Sequence, residues 1–263
     1  MDIIVCVKRV PDTETRVRIA ESGNSIESDG VKYIMSPYDE FALEAALRTK
    51  EESGKGEVRV LTLGDESSKE TLRGALAVGA DAAILLQGTV TVDGLATAKV
   101  LAAELEKHDP PLVLFGVKSG DVDQQQVGPM VATLLGRPCA SNVSDFNLDN
   151  DTIVCRREVE GGVEVVELDL PAVVTITKGE FEPRYASLKG IMAAKKKPLE
   201  VKDAESVESK LTIERLEYPP ERAQGRIVGE GADAVPELVR ALAGFRGSFV
   251  GRDSRFRWCP LLA

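Results

Sequence analysis

Between residues 3 and 140, short apolar runs alternate with stretches in which apolar residues recur every three or four positions. IIVCVKRV (3–10) is β-branched and uncharged in its first half, as a buried parallel strand is. VRVLTLG (58–64), AAILLQG (82–88) and LVLFGV (112–117) have the same strand character. Helical spacing follows each run. SPYDEFALEAALRTK places Leu43, Ala46 and Leu47 on one face, with Ser36 expected as N-cap, Pro37 at the first helical position and Asp39 at the capping-box position. DESSKETLRGALAVGA sets Ser67 and Glu70 as a second capping box, turns Leu72, Ala75 and Leu76 inward, and closes at Gly79. GLATAKVLAAELEK aligns Ala98, Leu101, Ala102 and Leu105, and QQQVGPMVATLLG opens a further helix. Alternation of this kind predicts an α/β fold, an open and mostly parallel sheet with helices on both faces. Right-handed crossovers then bring every strand-to-helix turn to one edge.

Past residue 140 the pattern changes. TIVCRREVEGGVEVVELDL reads as a hairpin around Glu160-Gly161-Gly162, and AVVTITKG (172–179) returns to buried-strand character. The polar stretch TRVRIAESGNSIESDGVKYI, earlier in the chain, reads as a small hairpin. From 180 to about 225 the chain is charged and proline-punctuated, with little periodic core, which suggests a segment docked on something else. VPELVRALAGF (235–245) is a last amphipathic helix, and residues 251–263 have no evident place in a core. The division expected is an α/β nucleotide-binding domain over 1–194, with an exposed loop near 182–194, and an extended arm with a short helix over 195–263.

Composition narrows the chemistry. A net charge of −10 repels phosphate backbones and speaks against nucleic acid. No run approaches the ~18 apolar residues of a membrane span. The opening MDIIVCVKRV lacks the pattern of a secretory signal, so a cytoplasmic location is expected. Cys6, Cys139, Cys155 and Cys259 are scattered and form no CxxC pair, so no metal site or disulfide framework is expected. The single histidine, His108, closes an expected helix, where a cation suits the helix end. No catalytic acid–base or nucleophilic residue is therefore assigned.

The strand-end turns are where an open α/β sheet binds ligands. GVKSGDVDQQQVG (116–128) offers Gly116 and Gly120 for close backbone approach, and Ser119, Gln124, Gln125 and Gln126 as neutral hydrogen-bonding groups. The helix that opens there suits a phosphate. No Walker lysine or GxGxxG turn is present. An ATP-dependent adenylating or sensor domain, with Asp121 and Asp123 as metal-binding carboxylates, is an alternative of another class. In EPRYASLKGIMAAKKKP (182–198), Leu188 is either an apolar knob for a protein partner or a residue folded onto the core. Lys195, Lys196 and Lys197 read as a solvated run.

VCVKRVPDTETRVR, MSPYDEFALEAALR, VLTLG, LRGALAVGAD, GVKSGDVDQQQVG, REVEGGVEVVELDLPAVVTI and EPRYASLKGIMAAKKKP occur in this order. Together they resemble the beta subunits of electron transfer flavoproteins, closely over about residues 1–200 and loosely beyond. The resemblance implies an adenine nucleotide hydrolase-like fold. It also implies one half of an alpha–beta heterodimer, carrying electrons from flavin dehydrogenases such as acyl-CoA dehydrogenases to a quinone oxidoreductase. FAD would be held mainly by the alpha subunit. AMP would sit in this chain, or a second FAD in members that bifurcate electrons. By motif, the nucleotide would meet Cys6, Ser36, Pro37, Tyr38, Asp39, the run Val60 to Leu63, Gly116, Ser119, Asp121, Val122, Asp123, Gln124, Gln125, Gln126 and Val127. Cys6 stands where the family often has a small residue, which implies packing rather than thiol chemistry. Glu158 would pair with an alpha-subunit arginine, while Arg184, Tyr185 and Leu188 would meet partners through a recognition loop. The polar arm would wrap the alpha subunit. One departure is Gln125-Gln126-Val127-Gly128, where AMP-type members read Asn-Gln-Thr-Gly. Loss of that hydroxyl leaves backbone N–H groups as the phosphate ligands, and AMP remains the favoured nucleotide. The resemblance does not place the tail 251–263.

Overall fold

The uncharged β-branched runs become the interior of one sheet, in a computed structural model that describes residues 1–89, 92–221 and 224–250. The 251–263 tail lies outside the described residues. Strand β1 (Ile3–Cys6) is buried along its whole length and pairs in parallel with β4 (Val58–Gly64) on one side and β6 (Leu112–Gly116) on the other. Beyond β4 lies β5 (Ala82–Gln87), and beyond β6 lies β10 (Ala172–Ile176). Strand β7 (Cys139–Asp149) runs parallel to β10, then continues antiparallel into β8 (Thr152–Val159) and β9 (Gly162–Asp169). On the opposite edge β11 (Leu199–Asp203) pairs in parallel with β5. The order of the nine strands is β11-β5-β4-β1-β6-β10-β7-β8-β9, the open and mostly parallel sheet that the alternation predicts.

Both faces are covered. Successive residues of a strand point to opposite faces. Ile3 and Val5 join the cluster under α1 (Pro37–Ser53) and α2 (Ser68–Val78), with Leu43, Leu47, Leu72 and Leu76. Ile4 and Cys6 join the cluster under α3 (Gly94–His108) and α4 (Val127–Leu135), with Leu101, Leu105 and Val131. Each fully buried leucine contributes about 2 kcal/mol of apolar burial, so the amphipathic stripes hold the layers together.

Several expectations are corrected. Residues 3–10 are not one strand. The charged Lys8-Arg9 pair leaves the sheet, and β2 (Arg9–Pro11) pairs antiparallel with β3 (Tyr33–Met35) in a separate ribbon. The polar stretch between them closes on a single bridge, Ile19 to Ile26. Neither capping box forms. The Ser36 hydroxyl donates to the Lys118 carbonyl at 3.4 Å, and the Ser67 hydroxyl donates to the Asp65 carboxylate. The side-chain cap falls on α3, where Asp93 accepts from the N–H groups of Leu95 and Ala96 at 2.9 and 3.2 Å. His108 does end α3, with Nε2 3.0 Å from Glu104 Oε1.

The contacts within the chain group its residues into two compact units, Met1–Leu216 and Glu217–Ala263. Residues 199–216 stay with the first unit because LEVKD completes the sheet and Val207 packs on the α3 cluster. The N–H of Lys210 also donates to Asp93 Oδ2 at 2.8 Å. In the second unit, α6 (Val235–Val250) leaves Val235, Leu238, Val239 and Leu242 exposed, an apolar stripe at i, i+3, i+4 and i+7 spacing.

Candidate functional site

The chain steps from β1 to β4 on one side and returns to β6 on the other, so the carboxyl ends of β1 and β6 part at a topological switch point. A cleft opens there. It is lined by Cys6, Val7 and Lys8 at and beyond the end of β1, Leu63 near the end of β4, and Phe115 to Ser119 at and beyond the end of β6. Val92, Gly94, Thr97 and Leu101 add the start of α3, and Val122 with Gln124 to Gly128 adds the loop into α4. Cys6, Leu63, Leu101 and Phe115 give an apolar lining. Gln124 is held in place by donating from Nε2 to the Val92 carbonyl at 3.0 Å.

The loop into α4 brings backbone donors. Asp123 and Gln125 both have φ of 56°, and Gln126 follows in the right-handed helical region at φ −111°, ψ −35°. Left- and right-handed residues in succession converge their N–H groups into an anion-binding nest. Among the described residues no side chain caps α4, so the N–H groups of Val127 and Gly128 are available to a ligand with the helix dipole behind them. Gly128 is required there: a Cβ would lie 2.5 Å from Thr175 Cγ2 and 3.5 Å from the Phe115 ring.

Asp39 ties the site together. Its Oδ2 accepts from the Lys8 N–H at 2.7 Å and its Oδ1 from the Gly116 N–H at 3.1 Å, joining the ends of β1 and β6. Burial pushes its carboxyl up to about 7, only partly offset by those two bonds and the charge of Lys8. Cys6 is buried, and burial followed by the nearby Asp39 raises its thiol well above the ordinary range. It stays protonated and serves packing.

Lys8 Nζ pairs with Asp121 at 2.7 Å, and Lys118 Nζ pairs with Asp123 at 2.8 Å. The two carboxylates offered as metal ligands are therefore occupied by lysines and do not line the cleft. Among the described residues no group of three or more His, Cys, Asp or Glu is arranged to hold a metal.

The cleft brings together Cys6, Asp39, Leu63, Gly116, Ser119, Val122, Gln124, Gln125, Gln126 and Val127. Val60 lies fully in the core instead, and Ser36 is buried behind the cleft. Pro37 and Tyr38 begin α1 outside the lining, Tyr38 with Lys118 Nζ 5.4 Å from its ring. Val7, Lys8, Val92, Gly94, Thr97, Leu101 and Phe115 also line the site, though no motif in the sequence assigns them to it. For most of them the signal was position, at a strand's carboxyl end or a helix start.

Glu158 is exposed on β8, opposite Val163. Tyr185 and Leu188 are 98% and 83% exposed, so Leu188 does not fold onto the core. It begins the short helix α5 (Leu188–Ala194). Arg184 is turned inward, onto Glu44 and Glu51 of α1. Lys197 also departs from a solvated run, donating from Nζ to the carbonyls of Leu76 and Ala80 at 2.9 and 2.6 Å. No helix among the described residues is long and apolar enough to cross a membrane.

A family model described as "Electron transfer flavoprotein domain" matches residues 24–207. A protein named "Electron transfer flavoprotein subunit beta" from Bradyrhizobium diazoefficiens is 39% identical, over 90% of this chain and 97% of its own. Proteins of the same name from Bacillus subtilis and Homo sapiens are each 38% identical, covering 92% and 90% of this chain and 97% and 96% of their own.

Proposed function

The chain belongs to the electron transfer flavoprotein family, among its beta subunits, and on that premise we propose that it is the nucleotide-holding half of an alpha–beta heterodimer. The heterodimer carries electrons from flavin dehydrogenases, acyl-CoA dehydrogenases of fatty acid oxidation among them, to a quinone oxidoreductase. It does so in the cytoplasm. FAD, held mainly by the alpha subunit, supplies the redox chemistry when bound. This chain supplies position and no acid–base or nucleophilic step.

The observation that carries the reading is the cleft at the switch point. Its apolar lining of Cys6, Leu63, Leu101 and Phe115 suits a purine, and the nest at Gln125 to Gly128 suits a phosphate. The lysines at the mouth are matched by aspartates, so they add little net positive charge beyond the nest, which suits one phosphate better than a diphosphate. That favours AMP. Val127 keeps the second-FAD form as the competing reading, since it contributes an N–H and no hydroxyl. The exposed stripe of α6 and Glu158 on β8 are the surfaces offered to the alpha subunit.

Leu188, with Tyr185, docks the dehydrogenase. In the assembled heterodimer, Leu188→Ala is expected to slow reduction by an acyl-CoA dehydrogenase about tenfold, as loss of a central apolar anchor does. Flavin and nucleotide content stay the same. Wild-type kinetics in this variant would remove the docking role from Leu188.

A further inference from the structure

Between two helices, the segment 180–197 is held at both ends and bare in the middle. At its start, Glu44, Arg48 and Glu51 share one face of α1 by i, i+4, i+7 spacing. Arg184 Nε and Nη2 reach Glu44 at 2.7 and 2.9 Å, and its Nη1 and Nη2 reach Glu51 at 2.5 and 3.0 Å. Arg48 binds Glu44 at 2.8 Å and donates to the Glu180 carbonyl at 3.1 Å. At the other end, Arg73 of α2 donates from Nη1 to the carbonyls of Ala194 and Lys197 at 2.5 and 2.9 Å. Gly190 lies so close to the Ala77 carbonyl that any Cβ would collide with it. Tyr185 and Leu188 project between these two mounts.

We infer that Arg184 is a positioning residue: with the α2 mount, it presets the shape of the loop that presents Leu188 to the dehydrogenase. The inference rests on the docking role proposed for Leu188. Its physical basis is the cost of ordering. A free loop loses conformational entropy when a partner immobilises it, whereas a loop already clamped has lost it on folding. The geometry suits this task, because Glu44 is buried and bridges two arginines, one of which also grips the loop backbone. A connector without such a role could leave its backbone and its arginine to water.

The test uses the complete heterodimer, with an acyl-CoA dehydrogenase as electron donor. Arg184→Ala keeps Arg48 on Glu44, and Gly190→Ala attacks the other mount. Each is expected to raise the apparent KM for the flavoprotein about tenfold, with kcat within about twofold of wild type, since the lost term is preorganisation. Amide exchange over Ser187 to Ala194 rises in both variants, and FAD content is unchanged. Arg184→Lys, which cannot make the bidentate pair, falls between wild type and Arg184→Ala. Unchanged exchange, unchanged KM, or a fall in kcat at constant KM would each overturn the inference. Should Leu188→Ala raise KM while Arg184→Ala does not, only the positioning role fails. Should neither move it, the docking reading fails with it.

Discussion

Gly116→Ala is expected to cost about 3 kcal/mol of stability and to leave the purified protein without its nucleotide. A Cβ at Gly116 would lie 2.6 Å from the Tyr38 carbonyl carbon and 2.7 Å from the Asp39 nitrogen, and would also strike Asp39 Oδ1. Two of the three obstacles are backbone, at the start of α1, and cannot swing aside. Relief requires α1 and β6 to separate, which breaks the bond from the Gly116 N–H to Asp39. The cleft then loses the junction between β1 and β6. Gly120 is the control. Its nearest neighbour is Pro37 Cδ at 3.7 Å, so Gly120→Ala is expected to stay within about 0.5 kcal/mol of wild type. Urea unfolding, with absorbance of the released nucleotide, measures both effects. Wild-type stability and nucleotide content in Gly116→Ala would contradict the packing described.

Glu104→Ala is expected to cost about 2 kcal/mol and to loosen residues 199–216. The Glu104 carboxylate is 2% exposed as a residue and accepts from Lys202 Nζ at 2.6 Å, while His108 Nε2 lies at 3.0 Å and Lys107 Nζ at 3.3 Å. Burial alone would raise its carboxyl. The hydrogen bonds from Lys202, His108 and Lys107 outweigh that and hold it below the usual range. The sign follows: with the folded value depressed, the stabilisation is present above the unfolded carboxylate range and is lost as pH falls through the folded value. Wild type and variant therefore converge in acid. Lys202 is about a third exposed and can turn to water or to Glu200, which keeps the cost below that of a fully buried pair. Limited trypsin digestion at neutral pH reports the hold on residues 199–216 directly. Equal resistance of 199–216 in both proteins would show that Glu104 does not hold it.

Legibility from sequence followed the strength of periodic signals. The buried strands and the stripes of α1 to α3 are readable because they combine apolar runs with unambiguous helical spacing. Strand β7 was not, since CASNVSDFNLD carries polar residues on both faces and its backbone departs from regular extension at Asn142, with φ of 59°. Strand β11 was hidden because LEVKD is an edge strand of only five residues inside a charged stretch. The site was legible where the loop 116–128 follows β6. At Asp39 only the family resemblance points to the cleft, since the capping-box pattern describes a local contact. Tertiary packing gives its oxygens to Lys8 and Gly116 instead, residues 31 and 77 positions away. Arg184 shows the same limit: nothing local marks it as bound to α1 rather than free.

The proposed function turns on AMP being held by this chain at the carboxyl ends of β1 and β6. Denaturing the purified heterodimer and identifying the released small molecules by mass tests it most directly. AMP and FAD are expected in equal amounts, with AMP lost from Gly116→Ala. An intact heterodimer that releases a single equivalent of FAD and no other adenine compound would contradict it.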